Sequence, residues 1–307
     1  MTDKILHGMS ADGGIRIYAA NTTNLVREAQ RIHNTYPIPT AALGRLLTAA
    51  AMMGSMLKSE SDSLTLQIRG DGPLGGILAV GNSKAEVKGY VINPDVVLPD
   101  KIPGKLNVGD AVGAGTLGVI RDMGLKEPYA GQIQLVSGEI AEDITAYYAE
   151  SEQIPAAVAL GVLVDTDGSV ITAGGFILQL MPGVTDEEAA QLEKTIASIP
   201  PITTMLSEGM SCEDIIFSVT EGFDLLVYHG ETVTPKYECD CSRERVERAL
   251  ISMGSKELSD LIAEQGRAEL TCQFCDVVYE FTSNDLQNLL IECGSKNEKS
   301  QKTEIID

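Results

Sequence analysis

The chain has 307 residues, 44% of them hydrophobic, with no Trp and a formal net charge of −21. That length suits one large domain plus a smaller one, and that apolar fraction excludes bulk disorder. The chain is acidic on both sides of Gly230, which argues against nucleic acid or an anionic membrane as partner, because either needs a basic face. A charge of this size also keeps a protein soluble when some of its apolar surface is exposed.

The opening stretch "MTDKILHGMSADGG" has no charged-then-apolar leader, so secretion is not expected and a cytoplasmic setting is. "GIRIYAA" then reads as a strand and "TNLVREAQRIH" as an amphipathic helix. An apolar run follows over 41–57, with Pro39 and Thr40 marking a helix start and Thr40 as its cap. It is about one turn short of a comfortable membrane span and contains Arg45, so it is expected to be a buried helix.

"LTLQIRGDGPLGGILAVGN" predicts two strands around a turn, "AEVKGYVI" and "GTLGVIRDM" two more, and "GQIQLVSGEIAEDITAYYAES" a strand and a helix. "AAVALGVLVDTDGSVITAGGFILQLMPG" predicts a long hairpin turning at 166–168. Hairpin-linked strands with few helices imply an α+β domain of mostly antiparallel sheet, over 1–184. Within it, "GDGPLG" at 70–75 matches G-x-G-x-x-G, but a strand follows where a dinucleotide site needs a helix, so a turn is expected.

The texture changes after Pro182. Thr185 and Glu188 have capping-box spacing ahead of "EEAAQLEKTIASI", Pro200 and Pro201 stop that helix, and short helical pieces broken by Gly209 and Gly222 follow. This predicts a helical linker over 185–230, whose helicity comes mainly from packing on the first domain. "DLLVYHG" is one more strand.

Four of the six cysteines come next, as Cys239-x-Cys241 and Cys272-x-x-Cys275. Four such thiols could grip a metal, form two disulfides, or switch between the two. In an extended "YECDC", Cys239 and Cys241 would project from one face. Cys272 and Cys275 have the turn spacing of structural zinc sites, and four thiolates close a tetrahedron with no position left to activate water. Two helices, "RERVERALISM" capped by Ser242 and "KELSDLIAEQ", lie between the pairs, and a strand "VVYEF" and a helix "NDLQNLLIEC" follow. A module of about 60 residues needs a staple, and zinc would supply it. A thioredoxin-like reading of "CQFC" fails because a strand follows where a helix should. Cys212 and Cys293 have no close partner in sequence and are expected to be half-buried core thiols. His7, His33 and His229 are scattered, with His229 alone near enough in sequence to substitute as a ligand. No nucleophile triad, P-loop or carboxylate motif stands out, so the chain is not expected to be an enzyme.

"CDCSRERVERAL" followed by "CQFC", behind a domain containing "LGRLLTAAAMM" and "GGFILQLMPG", resembles the redox-regulated heat-shock chaperone family of about thirty-three kilodaltons. The resemblance runs from the first strand to the helix ending near Cys293 and holds at every motif position. It implies an ATP-independent holdase of the cytoplasm that is inactive when reduced and zinc-bound. It also implies zinc on Cys239, Cys241, Cys272 and Cys275, and, after oxidation, zinc release with disulfides Cys239–Cys241 and Cys272–Cys275. The linker would then unfold and the protein, as a homodimer, would hold unfolding client proteins. The domains on this reading are a chaperone core over 1–184, the linker over 185–230, a zinc redox-switch domain over 231–294 and a disordered tail over 295–307. The alternative from another class is a constitutive zinc-binding module for protein interaction.

Overall fold

The computed structural model describes residues 2–303, with side chains over 2–293. The strands are β1 (Lys4–Ser10), β2 (Ile15–Asn21), β3 (Ser63–Gly70), β4 (Ile77–Asn82), β5 (Glu86–Val91), β6 (Gly115–Asp122), β7 (Tyr129–Gln134), β8 (Ala156–Val164), β9 (Val170–Leu180), β10 (Leu225–Val227), β11 (Lys236–Tyr237), β12 (Ala268–Thr271) and β13 (Val278–Phe281). The helices are α1 (Thr23–His33), α2 (Pro37–Ser55), α3 (Val108–Val112), α4 (Ala141–Glu150), α5 (Asp186–Ser198), α6 (Ile202–Ser207), α7 (Cys212–Val219), α8 (Arg243–Met253), α9 (Ser255–Glu264) and α10 (Ser283–Thr303). One sheet has the order β10-β1-β2-β9-β8, a second β11-β5-β4-β3-β6-β7, and β12 pairs with β13 alone. Among the described strands every ladder is antiparallel except the short β11–β5 pair. The expected class, α+β with mostly antiparallel sheet, is the one observed.

The chain forms two compact units, Met1–Glu238 and Cys239–Asp307. In the first, α2 packs on β4 of one sheet and β8 of the other. Of its 19 residues 16 are buried, because small side chains let the sheets approach from several sides. A Cβ on Gly54 would lie 2.6 Å from the Asn82 carbonyl, and one on Gly81 would lie 2.7 Å from that of Ala50, so both contacts require glycine. Arg45, the one charge in this helix, reaches Glu139 at 2.8 Å. No described helix is long and apolar enough to cross a membrane. The helix begins four residues before the expected start. Pro37, with its φ already set, occupies the first turn, while the Thr40 hydroxyl bonds the Thr35 hydroxyl (2.6 Å) and carbonyl (3.1 Å) instead of capping.

The five-stranded sheet is buried on both faces, as the two-residue period of its strands allows. Ile5, Ala20 and Ile177 point into the α2 core. Their neighbours Leu6, Ala19, Phe176 and Leu178 point the other way, against Leu192 of α5, Ile202, Met205 and Leu206 of α6, and Ile215, Ile216 and Val219 of α7. The segment expected as a linker is therefore a layer of the first unit. Residues 225–238 belong to that unit too, as β10 on the edge of one sheet and β11 on the edge of the other.

The turn at 70–75 connects β3 to β4 as expected. Its glycines permit close backbone contact with α3: the Gly72 amide donates to the Val112 carbonyl at 2.9 Å, and a Cβ on Gly70 would lie 1.9 Å from the same oxygen. Of the expected tail 295–307, the backbone to Thr303 continues α10, and the last four residues lie outside the described residues.

Candidate metal centre

The second unit starts at the first of the paired cysteines. Ser242 caps α8 by accepting the Arg245 amide, and α8 ends at Gly254, whose φ of 102° suits only glycine. β12 and β13 form a hairpin, and Thr282 starts α10 by accepting the Asp285 amide (3.3 Å). The apolar core of all this is five buried residues, Leu250, Leu258, Phe281, Leu286 and Leu289. Arg243 adds a polar clamp: its guanidinium lies 4.3 Å from the Phe281 ring centre and reaches Glu247 (3.1 Å), the Glu280 carbonyl (2.8 Å) and Asp285 (3.3 Å).

Two arms carry the thiols. The first is irregular: regular strand ends at Tyr237, so Cys239 and Cys241 do not lie in the extended strand expected for "YECDC". Glu238 still donates its amide to Val87, but the chain leaves the sheet edge there and turns toward the Ser242 cap. The second arm is the tip of the β12–β13 hairpin. The Cys272 amide bonds the Val277 carbonyl (2.9 Å), and the Cys272 carbonyl accepts the amides of Cys275 (3.3 Å) and Asp276 (2.8 Å). Asp276 has a φ of 57°, the left-handed conformation that closes the turn.

The four sulfurs lie within 4.8 Å of one another. Cys239 Sγ is 3.7 Å from Cys272 Sγ, and Cys241 Sγ is 3.3 Å from Cys275 Sγ. A tetrahedron of about 2.3 Å zinc–sulfur bonds spaces its sulfurs about 3.8 Å apart, and soft thiolates in such a set select zinc or iron over hard cations. The donor set therefore fits a tetrahedral metal site. The same separations exceed the disulfide length of about 2.05 Å, so the thiols are adjacent and unbonded.

The thiols are not equivalent. Burial pushes Cys239 up to about 11 and raises Cys275 further. At Cys241 burial acts in the same direction but is outweighed by the Tyr279 hydroxyl, which donates to its sulfur at 3.1 Å, and by the neighbouring thiols, so Cys241 falls below the ordinary cysteine value. The reciprocal effect of that bond holds Tyr279 up at about 12.

The family model for "Hsp33 protein" matches residues 3–282, which takes in the four-thiol cluster and nearly all of the first unit. The chain belongs to the Hsp33 family. A 33 kDa chaperonin of Ruminiclostridium cellulolyticum is 51% identical over 292 residues, covering 95% of this chain and 99% of its own. One of Clostridium perfringens (strain SM101) is 52% identical over 294 residues, covering 95% and 92%. The crystal structure of the Hsp33 homologue from Thermotoga maritima superposes with a TM-score of 0.86 at 38% identity, covering 94% of this chain and 98% of that one. Hsp33 proteins are stress chaperones, not a class of enzymes.

The two remaining cysteines of this Hsp33 chain stand apart from the cluster. Cys212 is buried against the five-stranded sheet and donates to the Lys4 carbonyl at 3.3 Å, with burial pushing its thiol up to about 11. Cys293 is buried in the second unit, where it accepts from Ser255 (3.3 Å). Neither histidine nor carboxylate joins the four sulfurs among the described residues. All three histidines instead attach residues 225–238 to the rest of the first unit. His7 stacks on Tyr228 (4.8 Å) and lies 3.4 Å from Glu231, His33 bonds the Tyr237 hydroxyl (2.9 Å), and His229 lies 3.3 Å from Glu213 of α7.

Tyr279 was not legible as a site residue. The available signal is the hairpin period: in "TCQFCDVVYEF" the tyrosine falls on the face that carries Cys272 once Leu270 is set opposite it.

Proposed function

We propose that this protein is a redox-regulated, ATP-independent holdase of the cytoplasm, silent when reduced and active when oxidised, with zinc held by Cys239, Cys241, Cys272 and Cys275 in the silent state. The observation that supports this best is the gathering of four sulfurs within 4.8 Å by a unit whose apolar core is five residues. Bound zinc would keep the sulfurs as thiolates and tie the two arms together, contributing about 10 kcal/mol or more to folding.

Oxidation removes those donors. For each pair, two thiolates give two electrons to a peroxide: a sulfur–sulfur bond forms, the oxygen–oxygen bond breaks and two hydroxides leave. The 3.3 and 3.7 Å contacts in the folded unit run between the arms. The pairs that membership of the Hsp33 family implies are Cys239–Cys241 and Cys272–Cys275, and neither restores a link between the arms.

Unfolding of the 239–294 module then frees the C-terminal end of the 225–238 segment. β11 offers only two paired residues to β5, so that segment is poorly held once its far end is loose. The α5–α7 layer next to it would lift from the sheet, baring Leu192, Ile202, Met205 and Leu206 on one side and Ile15, Ile17, Phe176 and Leu178 on the other. Such a surface binds unfolding client proteins, or a second copy to give a homodimer, while a net charge of −21 keeps the complex in solution and disfavours nucleic acid. No catalytic step is invoked.

The test is zinc content and suppression of client aggregation on one sample, before and after peroxide and again after a reductant. Zinc near one per chain and no protection before, zinc loss and protection after, and reversal on reduction are expected. Equal protection in both states would reject the switch and leave a constitutive zinc module.

A further inference from the structure

Tyr279 stands opposite Leu270 in the β12–β13 ladder. Side chains directly opposite share a face, as do residues two apart on one strand, so Tyr279 projects from the face that carries Cys272. Its ring packs on the small apolar core, which fixes where the hydroxyl points. That hydroxyl reaches Cys241, on the other arm, at 3.1 Å. A residue outside the ligand set, carried by the second arm, thus holds a sulfur of the first.

We propose that Tyr279 is a positioning residue of the thiol centre: its hydroxyl occupies a lone pair of the Cys241 sulfur, slows the attack of that sulfur on an electrophile, and so raises the amount of oxidant the centre withstands before it opens. This rests on the redox-switch reading above. Attack on a peroxide spends a sulfur lone pair: a sulfur–oxygen bond forms, the oxygen–oxygen bond breaks and hydroxide leaves. A neighbouring thiolate then displaces a second hydroxide from the sulfenic sulfur to give the disulfide. A sulfur already accepting a hydrogen bond must weaken that bond to attack, and a typical net hydrogen bond corresponds to a slowing of about three- to tenfold.

The experiment reads each cysteine separately. Folded, reduced protein is treated with limiting iodoacetamide, and the alkylation of each cysteine is followed by mass spectrometry, with zinc measured on the same sample by a chromogenic chelator. In Tyr279→Phe, which keeps the ring and loses only the hydroxyl, Cys241 should react about three- to tenfold faster while the other three hold their rates. The peroxide concentration that releases half the zinc should fall accordingly. Equal acceleration of all four sulfurs would show that Tyr279 only braces the fold, and an unchanged Cys241 would show that the hydroxyl does nothing; either result overturns the proposal. If the unaltered protein held no zinc, the metal reading would fall and this proposal with it, whereas zinc present with an unchanged Cys241 in Tyr279→Phe would reject the role of Tyr279 alone.

Discussion

Helices α2 and α8 sit in different units and are stabilised in different ways. In α2, 16 of 19 residues are buried, between two sheets, and the helix would hold its place with any one contact removed. In α8, of 11 residues, only Leu250 is buried, and in α9 only Leu258. A helix with one buried residue is not stable through packing, and at this length its propensity is not enough either. The second unit has instead a core of five buried apolar residues with the Arg243 clamp beside it. The layer α5–α7 falls between these extremes, since α7 buries four of its eight residues but α5 only Leu192. Burial therefore declines along the chain, and on the function proposed above the second unit is the one that leans on its thiol centre.

The largest effect should come from that centre. Cys272→Ser should abolish zinc binding and unfold residues 239–293, a loss of about 10 kcal/mol or more of metal-linked folding energy, while the first unit keeps its secondary structure. Cys212→Ser should leave zinc content unchanged, because Cys212 is buried against the sheet and a serine hydroxyl could still donate to the Lys4 carbonyl. Zinc stoichiometry and limited proteolysis check both, and cleavage spread evenly through 1–182 in Cys272→Ser would contradict the contrast between units.

The converse change belongs in the body. Leu47 is fully buried in α2, so Leu47→Ala should destabilise the first unit by about 2–5 kcal/mol in denaturant titration. Zinc content should not change. Zinc loss in this variant would mean that the two units do not fold as separate entities.

Which parts were legible in sequence follows the same gradient. Strands with a clear two-residue alternation, β3 to β6 above all, and the paired-Gly hairpin β8–β9 could be placed from pattern alone. β1 could not, because its sheet is covered on both sides: Ile5 and Leu6 are adjacent and both buried, which erases the alternation, and His7 and Gly8 follow. α3 is too short, at five residues, to show a helical period. The four thiols declared themselves through spacing, whereas Tyr279 and the three histidines act through partners more than 30 residues away or on another element, and only the hairpin period hints at Tyr279.

A smaller effect tests the middle of the gradient. Thr185 accepts the Glu188 amide and Glu188 returns the bond to the Thr185 amide (2.8 Å), a reciprocal cap on the helix with the fewest buried residues in its layer. Thr185→Ala should cost about 1 kcal/mol locally. In hydrogen exchange this should appear as faster exchange in α5 with α2 unaffected, and as a modest fall in the peroxide needed for client protection. Unchanged exchange in α5 would mean that its place is fixed by Leu192 alone.

The smallest effect concerns pH and the 225–238 segment. His7 lies between the rings of Tyr18 (5.2 Å) and Tyr228 (4.8 Å), with Glu231 at 3.4 Å and Arg16 the other charge acting on it. Burial lowers its pKa, Glu231 works to raise it and Arg16 adds to the lowering, with burial prevailing. A histidine whose folded value lies below its unfolded one binds fewer protons when folded. Its contribution is therefore complete above the ordinary imidazole value of about 6.5 and declines as pH falls through the depressed value. The bonds that should loosen are the Tyr228 amide to the His7 carbonyl (3.0 Å) and the reciprocal Ile5–Val233 pair (2.8 and 3.2 Å). Below about pH 6, hydrogen exchange at Tyr228 and Val233, corrected for the intrinsic rate, should quicken. His7→Phe keeps the stack between the two tyrosines and removes the proton site, so it should flatten this dependence. A pH response of the same size in His7→Phe would place its origin elsewhere and would leave His7 as a packing residue.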